Sequence, residues 1–369
     1  MVQIIGFPGK YIQGSGELRN LKQHVSWMGD RFLIIISKRG LGELEEQIRS
    51  GFNQDAKLVF TQFSGNCTKK TVQEIMDIAR KEKCQAVIGI GGGKLIDTAK
   101  AVGYFLNLPT VIVPTIAASD APTSALSVFY HEDDTLDEEL HYNNNPDIIL
   151  VDTEVIAKAP TRFLVAGMGD ALSTYLGARV SYQGYIDNEW KSKPTELSMA
   201  IARLSYDLLL KHGLQAKIAC DNNVVTKDFN KIVEANTLLS GLGCESIVGA
   251  SDHSFYYGFC ALTTREKDML HGEYVTFSTL CMLVMEGAPA EELDEVYRFC
   301  LSVGLPVCLA DIKLDNLTQE EFAVIARVAL EQPPTHNHPF EVTQEEIIAA
   351  IKTADEIGRL YKQGKHINL

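Results

Sequence analysis

The stretch Ala86-Val87-Ile88-Gly89-Ile90-Gly91-Gly92-Gly93-Lys94-Leu95-Ile96-Asp97-Thr98-Ala99-Lys100 passes from a β-branched run through a glycine turn into a helical pattern. A strand that empties into glycines and then a helix leaves backbone N–H groups unshielded at the positive end of the helix dipole, which makes a cradle for an anion. The loop departs from both standard phosphate-binding signatures. The dinucleotide fingerprint needs glycine at 94, where Lys94 stands, and a Walker A loop needs Ser or Thr at 95, where Leu95 stands. Its setting and the adjacent Lys94 still point to a pyrophosphate held at Gly91, Gly92, Gly93 and Lys94, with a plain tight turn as the alternative.

On either side lie further short apolar runs: Phe32–Ile36, Leu58–Phe60, Thr110–Val113 and Ile148–Val151. Helical patterns separate them near Gly42–Ser50, Thr71–Lys83 and Leu95–Leu106. Alternating strands and helices, with strands apolar on both faces, predict a doubly wound, Rossmann-like parallel sheet in an α/β N-terminal domain. From about Pro160 strand-like runs give way to long segments of 3.6-residue period: Phe163–Val180, Pro194–His212, Lys227–Gly241, His271–Met285, Ala288–Ser302, Thr318–Leu330 and Thr343–Lys362. The expected division is residues 1–160 as an α/β domain holding the dinucleotide at its glycine turn and 161–369 as an all-helical domain. Tyr182–Lys193 reads as a surface loop, and Glu132–Glu139, with six carboxylates in eight positions, as a solvated one.

A chain of 369 residues is too long for one ordinary core. Its formal net charge of −14 argues against nucleic acid and anionic lipid as partners. The longest uncharged stretch, Ala101–Ser119, is broken by Asn107, Pro109 and Pro114, so no membrane span is expected, and the N-terminus does not resemble a signal peptide. The eight cysteines include no C-x-x-C pair, and reduced thiols in a cytoplasmic protein are expected.

Gly91-Gly92-Gly93-Lys94-x-x-Asp97-Thr98-Ala99-Lys100, followed by Pro114-Thr115-Ile116-Ala117-Ala118-Ser119-Asp120-Ala121-Pro122, resembles the glycerol dehydrogenases of the metal-dependent (iron-containing) alcohol dehydrogenase superfamily. The resemblance extends over nearly the whole chain. It implies that Gly93 and Lys94 contact a pyrophosphate, that Thr115, Ser124, Leu126 and Tyr130 line the rest of the dinucleotide site, and that Asp120 faces a polyol. One departure bears on the cofactor. Where these enzymes typically carry an Asp for the adenosine ribose hydroxyls, this chain has Ser37, followed by Lys38 and Arg39. A carboxylate there repels a 2′-phosphate and a Ser does not, so NADP(H) competes with NAD(H) unless both cations simply face solvent.

Asp170 is the only charged residue between Arg162 and Arg179. A carboxylate in so apolar a helix needs a partner, which a cation or a helix cap can supply. The resemblance assigns Gly167-Met168-Gly169-Asp170-Ala171-Leu172 to the segment carrying the first metal ligand, and His253 and His271 to the other two. In one unbroken helix these histidines would stand about 27 Å apart, so the chain must turn back between them, and Leu262–Asp268 is the segment expected to do it. Three protein ligands with positions left open suit a catalytic divalent metal, zinc foremost. The family commonly has a small residue before the first of these histidines and another His three residues after it; here stand Asp252 and Tyr256. Asp252 can orient His253, compete for metal or face solvent. Of the remaining histidines, His336 and His338 are candidates for the cleft lining.

The expected function is hydride transfer between a small polyol or hydroxyketone, glycerol and dihydroxyacetone among them, and a nicotinamide cofactor. Asp120, Asp170, His253 and His271 form the catalytic set, and the resemblance implies a homo-oligomer. An NADP(H)-dependent reductase of another small carbonyl compound and a catalytically impaired nucleotide-binding homologue are the alternatives. A phosphorylated substrate would call for more cations than Arg265 and Lys267, the two that flank the histidine segments.

Overall fold

The computed structural model describes residues 2–52, 56–133, 135–262 and 268–366. The strands are β1 (Lys10–Gly14), β2 (Arg31–Ser37), β3 (Lys57–Phe63), β4 (Ala86–Gly91), β5 (Thr110–Pro114), β6 (Leu126–Tyr130), β7 (Leu136–His141) and β8 (Ile148–Asp152). Among the described residues six of them form an all-parallel sheet in the order β1-β8-β5-β4-β2-β3. Helices α1 (Leu21–Val25), α2 (Lys38–Ser50), α3 (Lys69–Glu82), α4 (Gly93–Leu106) and α5 (Thr153–Ala157) accompany this half.

Period-two alternation explains the layering. Leu33 and Ile35 of β2 join Val72, Ile75 and Met76 of α3 and Leu95, Ala99 and Val102 of α4 in one core. Phe32, Ile34 and Ile36 point the other way, into a second core with Leu18, Leu21, Leu44 and Ile48. Burial on both faces is why these strands read as unbroken apolar runs, and the sheet is doubly wound.

The second half is helical: α6 (Thr161–Gln183), α7 (Glu196–Asp221), α8 (Lys227–Glu234), α9 (Ser240–Ser246), α10 (Ser251–Cys260), α11 (His271–Met285), α12 (Ala290–Val303), α13 (Gln319–Glu331) and α14 (Gln344–Lys362). Side-chain caps set several of their starts. Thr318 and Thr343 each accept from the backbone N–H three residues on, and Glu321 and Glu346 reach back to close capping boxes. The core of this half also takes in Ile149 and Val151, while Ile148 and Leu150 of the same strand face the sheet's second core. Strand β8 therefore serves both.

Three expectations are corrected. The acidic run is not simply a loop, because Leu136–His141 pairs antiparallel with β6, and Asp137 and Glu138 hold Lys69 at 2.9 and 2.8 Å. Charge pointed to a loop, but this ribbon is open to water along much of its length and tolerates charge. Lys227–Gly241 is not one α-helix: a π-helical turn at Ala235–Leu239 separates α8 from α9. Within the segment Tyr182–Lys193, Asn188 is buried and donates to the Ile4 and Ser246 carbonyls at 3.0 and 3.2 Å, tying the N-terminal segment down.

One buried carboxylate sets a pH dependence of stability. Glu245 accepts from Ala125 N at 2.9 Å and from Asn145 at 2.5 Å, yet burial pushes its carboxyl up to about 7. A carboxyl raised on folding favours the native state fully below its unfolded value and loses that contribution as pH climbs through the folded one. Stability should therefore fall between about pH 4.5 and 7.5 by on the order of 2–3 kcal/mol from this group. Glu245→Gln should flatten that slope in urea melts taken across the range, and an unchanged slope would refute the assignment.

Candidate metal and dinucleotide site

The glycine turn is where the sequence places it. Gly92 is the N-cap of α4 in an extended conformation, and no side chain caps that helix. The Gly93 and Lys94 amides thus open a helix whose dipole end is unneutralised. A Cβ on Gly89 would overlap Ala99, so glycine there lets the strand lie against its own following helix. Lys94 Nζ sits 5.6 Å from the Tyr130 ring centre.

A cavity of about 440 Å³ lies beside the turn, walled by Ser37, Arg39, Gly40, Glu43, Gly91 and Thr115 from the sheet half and by Lys158, Pro160 and Phe163 from the junction with α6. Of the expected dinucleotide residues it takes in Ser37, Gly91 and Thr115, and not Gly92, Gly93, Lys94, Ser124, Leu126 or Tyr130. Ser37 Oγ accepts from Gly40 N at 3.0 Å and so caps α2. Arg39 turns toward Glu43, with Nε 2.8 Å from its carboxylate, and Lys38 is exposed and absent from the wall. Leu126 and Tyr130 end the strand of the ribbon, half-buried. Ser124 is buried, and its hydroxyl and carbonyl both accept from Lys100 Nζ at 3.3 Å.

That lysine holds the loop after β5. It also donates to the Ala121 carbonyl at 2.9 Å and pairs with Asp97 at 3.0 Å, an ion pair one helical turn apart and almost wholly buried. On the loop's other side Asn236, in the π-helical turn, donates to the carbonyls of Ala117 and Leu164 at 2.9 and 3.0 Å. Sequence reasoning singled out neither role, although Asp97 and Lys100 are the two charges of an otherwise apolar helix interior.

Helix α6 carries Asp170. Side chains at 167, 169 and 272 would collide with neighbouring backbone or buried atoms. A Cβ on Gly167 would overlap the Ala117 carbonyl, one on Gly169 the Gly272 carbonyl and Thr276 hydroxyl, and one on Gly272 the Ala166 carbonyl. Glycine at these positions lets α6 touch both the loop after β5 and the start of α11, backbone against backbone. Consequently Asp170 Oδ2 accepts from Asp120 N at 3.1 Å, and His271, first residue of α11, brings Nε2 within 3.3 Å of Asp170 Oδ1.

His253 stands in the first turn of α10, and its ring centre is 5.5 Å from that of His271. Donor atoms of Asp170, His253 and His271 all lie within 4.8 Å of one another. Residues 263–267, including Arg265 and Lys267 of the expected reversal, lie outside the described residues; α10 ends at Cys260, before them, and α11 begins at His271, after them. Burial opposes the charge of Asp170, but the two histidines and the Asp120 amide outweigh it and hold the carboxyl below its usual range. Burial and then Asp170 push Asp120 up to about 6. For His253 burial works against protonation, and the Asp252, Asp170 and Asp120 carboxylates overcome it, raising the imidazole to about 9. A buried carboxylate beside two half-buried imidazoles suits a divalent cation, because one negative oxygen ligand and two nitrogen lone pairs make a donor set for such an ion.

Tyr256 stands edge-on to His271 at 4.6 Å between ring centres, and the Tyr257 hydroxyl donates to Glu139 on β7 at 3.0 Å. His336 is exposed and directed to the Leu330 carbonyl at 3.0 Å, while His338 is buried and meets the Ser251 hydroxyl at 2.8 Å, under the start of α10. His336 thus supports a neighbouring turn, and His338 the helix that carries His253.

A sequence profile of the iron-containing alcohol dehydrogenases matches residues 8–153. Glycerol dehydrogenase of Citrobacter freundii is 41% identical over 97% of this chain and 99% of its own length. That of Thermotoga maritima is 42% identical over 98% and 99%. The chain belongs to the glycerol dehydrogenases of the iron-containing alcohol dehydrogenase family. It is an oxidoreductase of the alcohol dehydrogenase type. The crystal structure of a probable glycerol dehydrogenase from Sinorhizobium meliloti superposes with a TM-score of 0.89 at 36% identity, covering 97% of this chain and 99% of that one. The agreement spans both halves, so the helices bearing Asp170, His253 and His271 fall within the shared fold of this dehydrogenase family.

Proposed function

We propose that this dehydrogenase interconverts a small polyol and its hydroxyketone, glycerol and dihydroxyacetone foremost, using a nicotinamide dinucleotide and one divalent metal, zinc foremost. The meeting of Asp170, His253 and His271 within 4.8 Å carries this reading, and the names of the close relatives support the substrate class. When bound, such a metal would lower the pKa of a hydroxyl toward neutrality, and the nicotinamide would supply the acceptor for the hydride of the carbinol carbon. The chain's own groups fix where this happens. Asp170, His253 and His271 hold the cation, and Asp120, tied to Asp170 through its amide, offers its carboxylate to the polyol hydroxyls. The amides of Gly91, Gly92 and Gly93, with Lys94, take the pyrophosphate; Ser37 and Thr115 wall the adenosine side; Ser124, Leu126 and Tyr130 back the remainder.

Residues 1–160 carry the dinucleotide in this reading and 161–369 the metal. No described helix is long and apolar enough to cross a membrane, which fits a cytoplasmic enzyme. Leu197, Leu204, Leu214 and Ile218 are exposed along α7, which fits a homo-oligomer.

Nicotinamide absorbance followed with NAD⁺ or NADP⁺ and glycerol, propanediols and other small diols tests the function. Turnover of a vicinal diol that chelation abolishes and zinc restores is expected. Nucleotide binding without turnover of any alcohol or carbonyl would refute it. For the cofactor, Ser37 stands in the cavity wall where the family typically has an Asp, with Arg39 and its partner Glu43 beside it, and the site should admit NADP(H) as well as NAD(H). Ser37→Asp keeps the helix cap, since Asp caps as well as Ser. It should raise the kcat/KM ratio of NAD⁺ over NADP⁺ by about tenfold, ~1.4 kcal/mol; an unchanged ratio would place residue 37 away from the ribose.

A further inference from the structure

Asp252 occupies a place where the family pattern described above has a small residue. Its side chain is 1% exposed. One oxygen, Oδ1, accepts from the Ala250 amide at 2.8 Å, which fixes the carboxylate against its own turn. The other, Oδ2, lies 2.8 Å from His253 Nδ1.

The surroundings are built around this carboxylate. A Cβ on Gly177 of α6 would stand 2.7 Å from Oδ1, and one on Gly249 would stand 3.0 Å from it, so both neighbours leave it room by lacking side chains. The turn that carries it is pinned from outside. The Gly249 carbonyl accepts from Ser181 Oγ at 2.8 Å and from Asn337 Nδ2 at 2.9 Å, and Ser251 Oγ meets His338 Nε2 at 2.8 Å. The segments holding Ser181 and Asn337–His338 thus fix the position of Asp252, and Asp252 fixes the ring of His253.

We infer that Asp252 is a positioning residue for the metal centre: it keeps the His253 proton on Nδ1 and so presents Nε2, with its lone pair, to the cation. An imidazole accepts a metal through the nitrogen that carries no proton, and a carboxylate behind the other nitrogen fixes ring, tautomer and basicity together. This inference rests on the reading that Asp170, His253 and His271 bind a metal. It assigns Asp252 neither to the cation nor to solvent but to the histidine behind it.

Asp252→Asn separates this role from a merely structural one. The amide oxygen can keep the bond to the Ala250 N–H, while the –NH₂ group turned to His253 Nδ1 is a donor and drives the ring proton onto Nε2. Zinc affinity measured by competition with a chromophoric chelator should fall about 10- to 100-fold, as for other outer partners of metal-bound imidazoles. The melting temperature of the metal-free protein should fall less than in Asp252→Ala, and the visible spectrum of the cobalt-substituted enzyme should change. Asp252→Ala should lose zinc affinity to a similar degree and also lower the metal-free melting temperature, because the Ala250 amide is left without its acceptor. Wild-type affinity and an unaltered cobalt spectrum in folded Asp252→Asn would overturn the inference and leave the metal centre standing. Wild-type protein that takes up neither zinc nor cobalt would overturn the metal centre and this inference with it.

Discussion

His271→Ala should strip the enzyme of its metal and leave kcat/KM lower by about three orders of magnitude, ~4 kcal/mol of transition-state stabilisation. The imidazole is over a third exposed at the start of α11 and its polar contact is with Asp170, so the metal-free fold loses little when it goes. Metal content per chain, determined after dialysis, should drop in parallel with turnover, and added zinc should rescue neither fully. Turnover that survives both this substitution and thorough chelation would end the metal mechanism.

Gly272→Ala, one residue on, should act on the fold as well as the site. Its Cβ would overlap the Ala166 carbonyl and come within 3.1 Å of the Asp170 amide. Backbone atoms cannot rotate aside, so α6 and α11 must part, and their contact is among the most extensive between any two helices here. A loss of about 3 kcal/mol is expected, at the upper end for overpacking. The urea midpoint should fall, and zinc affinity with it, since His271 moves with its helix. Gly42→Ala, where the added Cβ meets nothing within 4 Å on a helix, is the control and should be neutral or slightly stabilising. Equal stability of Gly272→Ala and wild type would show that the helices are not held this closely.

Much of the sheet could be read from the residues alone because β2, β4, β5 and β8 are apolar on both faces. Strand β1, Lys10-Tyr11-Ile12-Gln13-Gly14, could not: an edge strand with polar ends looks like loop. The charged strand β7 was hidden for the same reason, and the π-helical turn because one extra residue per turn leaves no mark on composition. At the site Asp170 announced itself as a lone charge in an apolar helix. Its glycine neighbours showed their purpose only once α6, α11 and the loop after β5 were seen to touch. The two histidines came from family likeness, since no spacing rule pairs residues on separate helices across an intervening turn. The Asp252–His253 bond depends on χ angles, which sequence does not encode legibly, so sequence alone leaves three roles for Asp252 open.

Strand β8 has a consequence for how the chain comes to be. Its odd-numbered residues, Ile149 and Val151, share one core with side chains as far along the chain as Tyr361 of α14. A ribosome adding about 5–20 residues per second needs on the order of 10–40 s to complete that core after the sheet has emerged. During that interval Ile149 and Val151 lack most of the core they join, so holding chaperones have their natural target there, and a message truncated after β8 should yield inclusion bodies rather than a soluble fragment.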